Sequence, residues 1–137
     1  MKPPIDSVRL TATERDLLLK IKRKTGIDSW NVLCRWGLAL GLKENNPHMR
    51  KPHAKRDAIE IKWETFAGKQ SAIITSLVQL GFAKQISKNN GAQIADFFYS
   101  RLEDGIRTLS TSLDSNHRNL NALIRFDHPV AEQLEVA

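Results

Sequence analysis

Three side chains near the middle of the chain could do chemistry together. Asp57 is followed by Glu60-Ile61-Lys62, and an acidic residue upstream of Glu-x-Lys on a strand resembles the site of metal-dependent nucleases. In such a site the carboxylates hold Mg²⁺ and the lysine activates or orients water. The spacing argues against it. Asp57 stands only three residues before Glu60, closer than that fold normally places its acids, and Glu60, Lys62 and Glu64 already alternate with Ile59, Ile61 and Trp63 as the solvent face of a strand. A Mg²⁺-dependent nicking nuclease on Asp57, Glu60 and Lys62 is therefore the less favoured alternative. His48 and His53 lie five apart without a partnering Cys or an HxxxH helix, and His117 and His128 form no pattern. The single cysteine, Cys34, sits in the most apolar segment, the setting of a small buried hydrophobe rather than a nucleophile. No Gly-rich phosphate loop, Ser–His–Asp pattern or nucleophile elbow occurs. The expectation is a protein without catalytic residues, metal or cofactor.

The cations give the stronger signal. The formal net charge is +6 over 137 residues, from 21 Lys/Arg and 15 Asp/Glu. Residues 1–70 carry 15 Lys/Arg against 8 Asp/Glu, and residues 71–137 carry 6 against 7. The whole excess lies in the first half, and a one-sided distribution suggests a binding face. Lys20, Lys22, Arg23 and Lys24 form one cluster, with Arg15 a little upstream; Arg50, Lys51, Lys55 and Arg56 form a second. Cations in the last turns of a helix also complement its macrodipole, which is the bland explanation of the first cluster. Two clusters in the same half favour a phosphate-contacting surface. Such contacts supply affinity without sequence information, so the expected partner is DNA or RNA, with no particular site.

The elements that position these residues follow from pattern. Residues Asp6 to Leu10 alternate as a short strand. Thr11-Ala12-Thr13-Glu14 reads as a capping box opening a helix that Gly26 ends. Leu17, Leu18 and Ile21 form its core stripe, with Arg15, Leu19 and Arg23 roughly opposite. Asp28 or Ser29 caps a second helix from Trp30 to about Leu42. Residues Lys43 to Asp57 read as a basic loop and Ile59 to Phe66 as the clearest strand. A third helix spans about Gln70 to Lys84, with Ile73, Ile74, Leu77, Val78 and Gly81 on one face. After an Asn-Asn-Gly turn, a fourth runs from Ile94 to about Leu109. The fold class is mainly α: a compact helical domain of about four helices with one or two short strands and a ribbon–helix–helix-like N-terminal half. A domain over 1–110 and a loosely packed C-terminal extension over 111–137 are expected. A ribbon–helix–helix repressor, reading the major groove through Ser7 and Arg9, is the other alternative.

The second helix is apolar nearly all round, with only Asn31 and Arg35 polar. Such a helix must be covered all round. A second subunit is expected to supply part of the cover, over Leu19, Trp30, Leu33, Trp36 and Leu40. Gly37 and Gly41, at i and i+4, would admit another helix closely. No segment approaches the ~18 apolar residues of a membrane span, and the start lacks an apolar leader core. One cysteine makes no internal disulfide framework. A cytoplasmic protein is expected.

Lys22-Arg23-Lys24-Thr25-Gly26-Ile27 followed by Trp30-Asn31-Val32-Leu33-Cys34-Arg35-Trp36 resembles the hallmark segment of the DndE family of the bacterial DNA phosphorothioation (DNA sulfur modification) system. Ile59-Glu60-Ile61-Lys62-Trp63-Glu64-Thr65-Phe66-Ala67-Gly68 is similar to that family's second block, and Asp104-Gly105-Ile106 to its closing turn. The likeness covers about residues 7–110. It implies a non-catalytic, mainly helical homo-tetramer that binds duplex DNA, nicked duplex preferentially, through surface lysines. It also implies work beside the iron–sulfur protein DndC and the ATPase-like DndD. The lysine-rich run falls on Lys20, Lys22, Arg23 and Lys24, matched at Arg23 by charge rather than identity.

Overall fold

Thr11 closes a strand and opens a helix. β1 (Ser7–Leu10) leads into α1 (Ala12–Thr25). The Thr11 hydroxyl accepts from the Glu14 N–H at 3.1 Å, while the Glu14 carboxylate accepts from the Thr11 N–H at 2.9 Å. This reciprocal box satisfies donors that a helix start otherwise leaves bare. At the other end Gly26 takes φ 73°, and its N–H reaches the Lys22 carbonyl at 2.9 Å. α2 (Trp30–Leu42) starts on Ser29, whose hydroxyl accepts from the Val32 N–H at 3.4 Å. The computed structural model describes residues 2–43, 55–86 and 93–115. The expected loop cations Arg50 and Lys51, both loop histidines, and the Asn-Asn-Gly turn lie outside them.

The second strand is shorter than its alternation suggests. β2 is Ile59–Lys62, and the chain turns at once into α3 (Trp63–Ala67). Helical spacing wins there because Trp63, Phe66 and Ala67, at i, i+3 and i+4, can all be buried on one side. Gly68, at φ 57°, then begins a 3₁₀ turn (Gly68–Gln70) ahead of α4 (Ser71–Ile86). α5 (Ile94–Ser115) runs past residue 110, and Leu113 is buried, so residues 111–115 belong to the packed helix. β1 and β2 pair antiparallel in one two-stranded sheet, with Val8 opposite Ile61 and Arg9 opposite Glu60. The fold is mainly helical with one small sheet, and its N-terminal half keeps the strand–helix–helix order.

α5 is the centre of the molecule. Phe97, Phe98, Leu102, Ile106, Leu109 and Leu113 are buried along it. Trp63, Phe66 and Phe98 meet with ring centroids 5.4 to 5.8 Å apart. α1, α2 and α4 all pack on α5. The approach of α2 is at backbone distance: a Cβ on Gly105 would lie 1.5 Å from the Gly37 carbonyl oxygen, and one on Gly41 would lie 1.8 Å from the Arg101 carbonyl oxygen. Gly37 and Gly41 therefore do admit another helix, and it is α5 of the same chain.

The residues expected at a subunit interface are divided by this packing. Leu33 is buried within its own chain's core, and Trp30, Trp36 and Leu40 pack against that core while remaining partly exposed. The apolar face left bare is on α4 instead. Ile73 (65% exposed), Leu77 (50%) and Leu80 (61%) sit at i, i+4 and i+7, while Ile74, Thr75, Val78 and Gln85 turn inward. Gly81 fixes that rotation, since a Cβ there would meet the Phe97 ring at 2.8 Å. Ile73 and Leu77, expected on one face with Ile74 and Val78, are turned to the open side while those two are buried.

Candidate nucleic-acid interface

Burial of Glu14, Leu18 and Ile21 fixes how α1 is rotated. At 3.6 residues per turn that sets Arg23 outward, Lys20 and Lys24 on one flank, and Arg15 and Lys22 on the other. Arg23 is exposed and makes no ion pair among the described residues. Leu19, 38% exposed, lies between Arg15 and Arg23 on this outer side. Lys22 reaches Asp28 only at 4.0 Å, and Arg15 pairs with its neighbour Asp16 at 3.3 Å. Solvent-exposed pairs of this kind contribute little to stability. Lys20 and Lys24 both bond the Asp114 carboxylate near the end of α5. The first cation cluster thus wraps the outward side of α1 over its last two turns, with Arg23 and Lys24 exposed and Lys20 and Lys22 partly so.

The second cluster is divided. Lys55 is exposed. Arg56, grouped with it by sequence, points inward: its side chain is 12% exposed and lies 2.7 Å from buried Glu14 and 4.0 Å from buried Glu103. Its guanidinium covers the Tyr99 ring at 4.0 Å. The inward placement has a plain cause: Glu14 is buried and would be costly without a cation beside it, while Glu103 also pairs with Arg107 at 3.2 Å. Arg56 joins the chain leaving the loop to the first turn of α1. That turn is roughly 15 Å along the helix from Lys24, at about 1.5 Å per residue.

The same group of side chains closes the outer edge of β1. The Tyr99 hydroxyl accepts from the Arg9 N–H at 3.0 Å and donates to the Ser7 carbonyl at 3.1 Å. The Arg9 carbonyl accepts from Arg56 at 3.2 Å. The inner edge pairs with β2 of the same chain. A ribbon–helix–helix repressor needs a strand edge open to its twin, and this one is occupied on both sides. Arg9 does face outward, where it meets Glu60 at 3.6 Å across the ladder.

That pair also accounts for the nuclease-like residues. Glu60 and Lys62 share the exposed face of β2, as alternation requires, and Asp57 is exposed just before it. Glu60 and Lys62, without Asp57, border an open cleft of about 570 Å³ between β2 and the start of α2, which Trp30, Asn31 and Thr65 also line. Among the described residues, no three His, Cys, Asp or Glu side chains converge where a metal ion could be held. Cys34 is buried, and burial pushes its thiol up to about 12, so it stays protonated at neutral pH. No described helix is long and apolar enough to cross a membrane.

Sequence reasoning found the α1 cations and missed Asp114, Tyr99 and Glu103. All three meet residues far away in sequence, and nothing local marks them. Compared with known protein families, residues 7–117 match the family model for DNA sulphur modification protein DndE. No curated protein matches the chain.

Proposed function

The chain belongs to the DndE family of DNA sulphur modification proteins, with a role in DNA phosphorothioation, and from that premise we propose that it is a non-catalytic subunit that binds duplex DNA. The contact surface is the outer side of α1: Lys20, Lys22, Arg23 and Lys24, with Arg15 at its edge. Exposed Lys55 is a candidate addition, and Arg56 is not part of the surface. The observation that carries the reading is the crowding of four cations into the C-terminal half of α1, with Arg23 outermost and Lys20, Lys22 and Lys24 on its flanks. Lys and Arg there would neutralise backbone phosphates and release counterions, which gives salt-sensitive and sequence-tolerant binding. A nick lowers the cost of bending duplex DNA, so a surface that reads backbone alone would favour nicked DNA.

The protein works as a homo-oligomer, a tetramer by family resemblance, assembled through the bare stripe of Ile73, Leu77 and Leu80. An exposed apolar stripe of this kind marks an interaction surface. DndC and DndD are the expected protein partners, and the cell compartment is the cytoplasm.

The test is binding to intact and nicked duplexes of unrelated sequence, read by fluorescence anisotropy across salt concentrations. Log Kd should be linear in log salt, with a slope no steeper than roughly 3–4, the limit set by four phosphate contacts per protomer. Replacing Lys20, Lys22, Arg23 and Lys24 together by Ala should weaken binding by tenfold or more at about 0.1 M salt. Unchanged affinity in that variant would remove the surface assignment.

A further inference from the structure

Two cations of the proposed surface already hold an anion. Lys20 and Lys24, at i and i+4 on α1, bond the two carboxylate oxygens of Asp114, one lysine to each. Asp114 comes from the last turns of α5, more than 85 residues away in sequence. The two ammonium groups hold its carboxyl below the usual carboxylate range, so it is ionised at neutral pH. All three side chains remain open to solvent, with 36% of Lys20, 29% of Lys24 and 44% of Asp114 exposed. Surface ion pairs of this kind exchange partners at little cost.

Two ammonium donors converging on the two oxygens of one anion is also the arrangement a backbone phosphate would take, through its two non-bridging oxygens. Carboxylate and phosphate compete for the same donors, and they cannot both be held. Lys22 and Arg23 carry no comparable close pair. We propose that Asp114 is a built-in competitor for DNA phosphate: it occupies Lys20 and Lys24 in the free protein, and the DNA backbone must displace it before those lysines contribute. The proposal rests on reading the outer side of α1 as the DNA-contacting face. Its consequence is a threshold. A first contact is made by Arg23 and Lys22, and the remaining two cations engage only where a phosphate comes close enough to replace the carboxylate. Once displaced, Asp114 stays near the backbone as a like charge and lowers the final affinity.

The experiment compares wild type, Asp114→Asn and Asp114→Glu on one duplex, by anisotropy over about 0.05 to 0.2 M salt. Asp114→Asn removes the charge and should bind roughly three- to tenfold more tightly, the equivalent of two surface ion pairs. Its log Kd against log salt should steepen by about 2, because two further cations exchange counterions for phosphate. Asp114→Glu keeps the charge and should stay near wild type. Adding Lys20→Ala and Lys24→Ala to Asp114→Asn should erase both the gain and the added slope. Thermal unfolding of each variant establishes that it is folded, and a merely structural Asp114 would move the melting temperature without steepening the salt slope. Equal or weaker binding by Asp114→Asn overturns the competitor. The two readings fail separately: if the four-fold alanine variant of α1 loses binding while Asp114→Asn is neutral, the competitor alone is wrong. If that variant binds as wild type does, the DNA face itself is wrong.

Discussion

Gly105→Ala tests the helix contact on which the fold rests. A Cβ at Gly105 would lie 1.5 Å from the Gly37 carbonyl oxygen, 2.4 Å from its carbon and 2.9 Å from the Gly41 nitrogen. Ordinary contact begins near 3.4 Å, so α5 and α2 would have to separate locally by about 2 Å. All three obstacles are backbone, and no side-chain rotation relieves them. Parting the helices also loosens Leu33 and Leu38 of α2 from Leu102, Ile106 and Leu109 of α5. Overpacking that side chains can absorb costs about 1–3 kcal/mol; with backbone in the way, at least ~3 kcal/mol is expected. That is a large share of the ~5–15 kcal/mol available to a domain, and it should lower the melting temperature by ~10 °C or more. Gly26→Ala is the internal control. At φ 73°, with nothing within 4 Å of its Cβ, it should cost only the left-handed strain of about 1–2 kcal/mol. Gly37→Ala, which meets mainly the Ile106 side chain at 2.9 Å, should fall between the two. Urea unfolding followed by far-UV circular dichroism measures all three. If Gly105→Ala costs no more than Gly26→Ala, α2 and α5 do not meet in this register.

Arg56→Ala should destabilise by roughly 3 kcal/mol, because it removes the guanidinium that stands 2.7 Å from buried Glu14, whereas Glu103 keeps Arg107 at 3.2 Å. Lys55→Ala, one residue earlier and exposed, should stay within about 0.5 kcal/mol in the same urea titration; similar losses would contradict the inward placement of Arg56. Leu77→Lys puts a charge in the middle of the α4 stripe and should shift the particle to a smaller species in light-scattering gel filtration without lowering its melting temperature. An unchanged mass would rule that stripe out as the assembly face. Asp114 has a lowered folded pKa, so its contribution to stability is fully present above the ordinary carboxylate range and is lost as pH falls through the lowered value. Stability measured against pH should therefore drop less on acidification in Asp114→Asn than in wild type, and coincident curves would refute the pairing.

Where a signal was local, the sequence alone was sufficient. Thr11, Glu14 and Gly26 mark both ends of α1, because capping is settled within one turn of chain. The α4 helix was legible but its rotation was not. Its apolar residues occur on both sides, and which stripe turns inward depends on Gly81 meeting Phe97, a contact between helices. For α2 the source of the cover was not legible, for a related reason. An apolar surface all round shows that cover is needed without saying from where, and the cover comes largely from α5, through glycines at backbone distance. In β2 the alternation at Ile59 and Ile61 carried the strand too far, since Trp63 with Phe66 and Ala67 also satisfies helical spacing. The α1 half of the candidate site was visible as a run of cations. Arg56 was not distinguishable from Lys55, because its burial depends on acids from α1 and α5. Asp114 was invisible for the same reason.

Net charge overstates the charge at hand for a ligand. Of the cations in the first half, Arg9 meets Glu60, Arg15 meets Asp16, Lys20 and Lys24 share Asp114, and Arg56 is held by Glu14. A DNA backbone would bind this surface largely by exchanging one anion for another. Exchange of that kind gains little Coulomb energy per contact, and most of its driving force is counterion release. A single chain with a handful of such contacts would be a weak binder, and in the proposed homo-oligomer several copies acting at once would supply the affinity. The fold permits this. α1 and α4 pack on α5 as separate surfaces, so assembly through Ile73, Leu77 and Leu80 leaves the cations of α1 open. Linked copies raise the effective concentration of the second and later contacts without any new chemistry. On that argument, breaking the α4 stripe should weaken DNA binding even though none of its residues carries charge, and it should weaken binding more on duplexes long enough to span several protomers than on short ones.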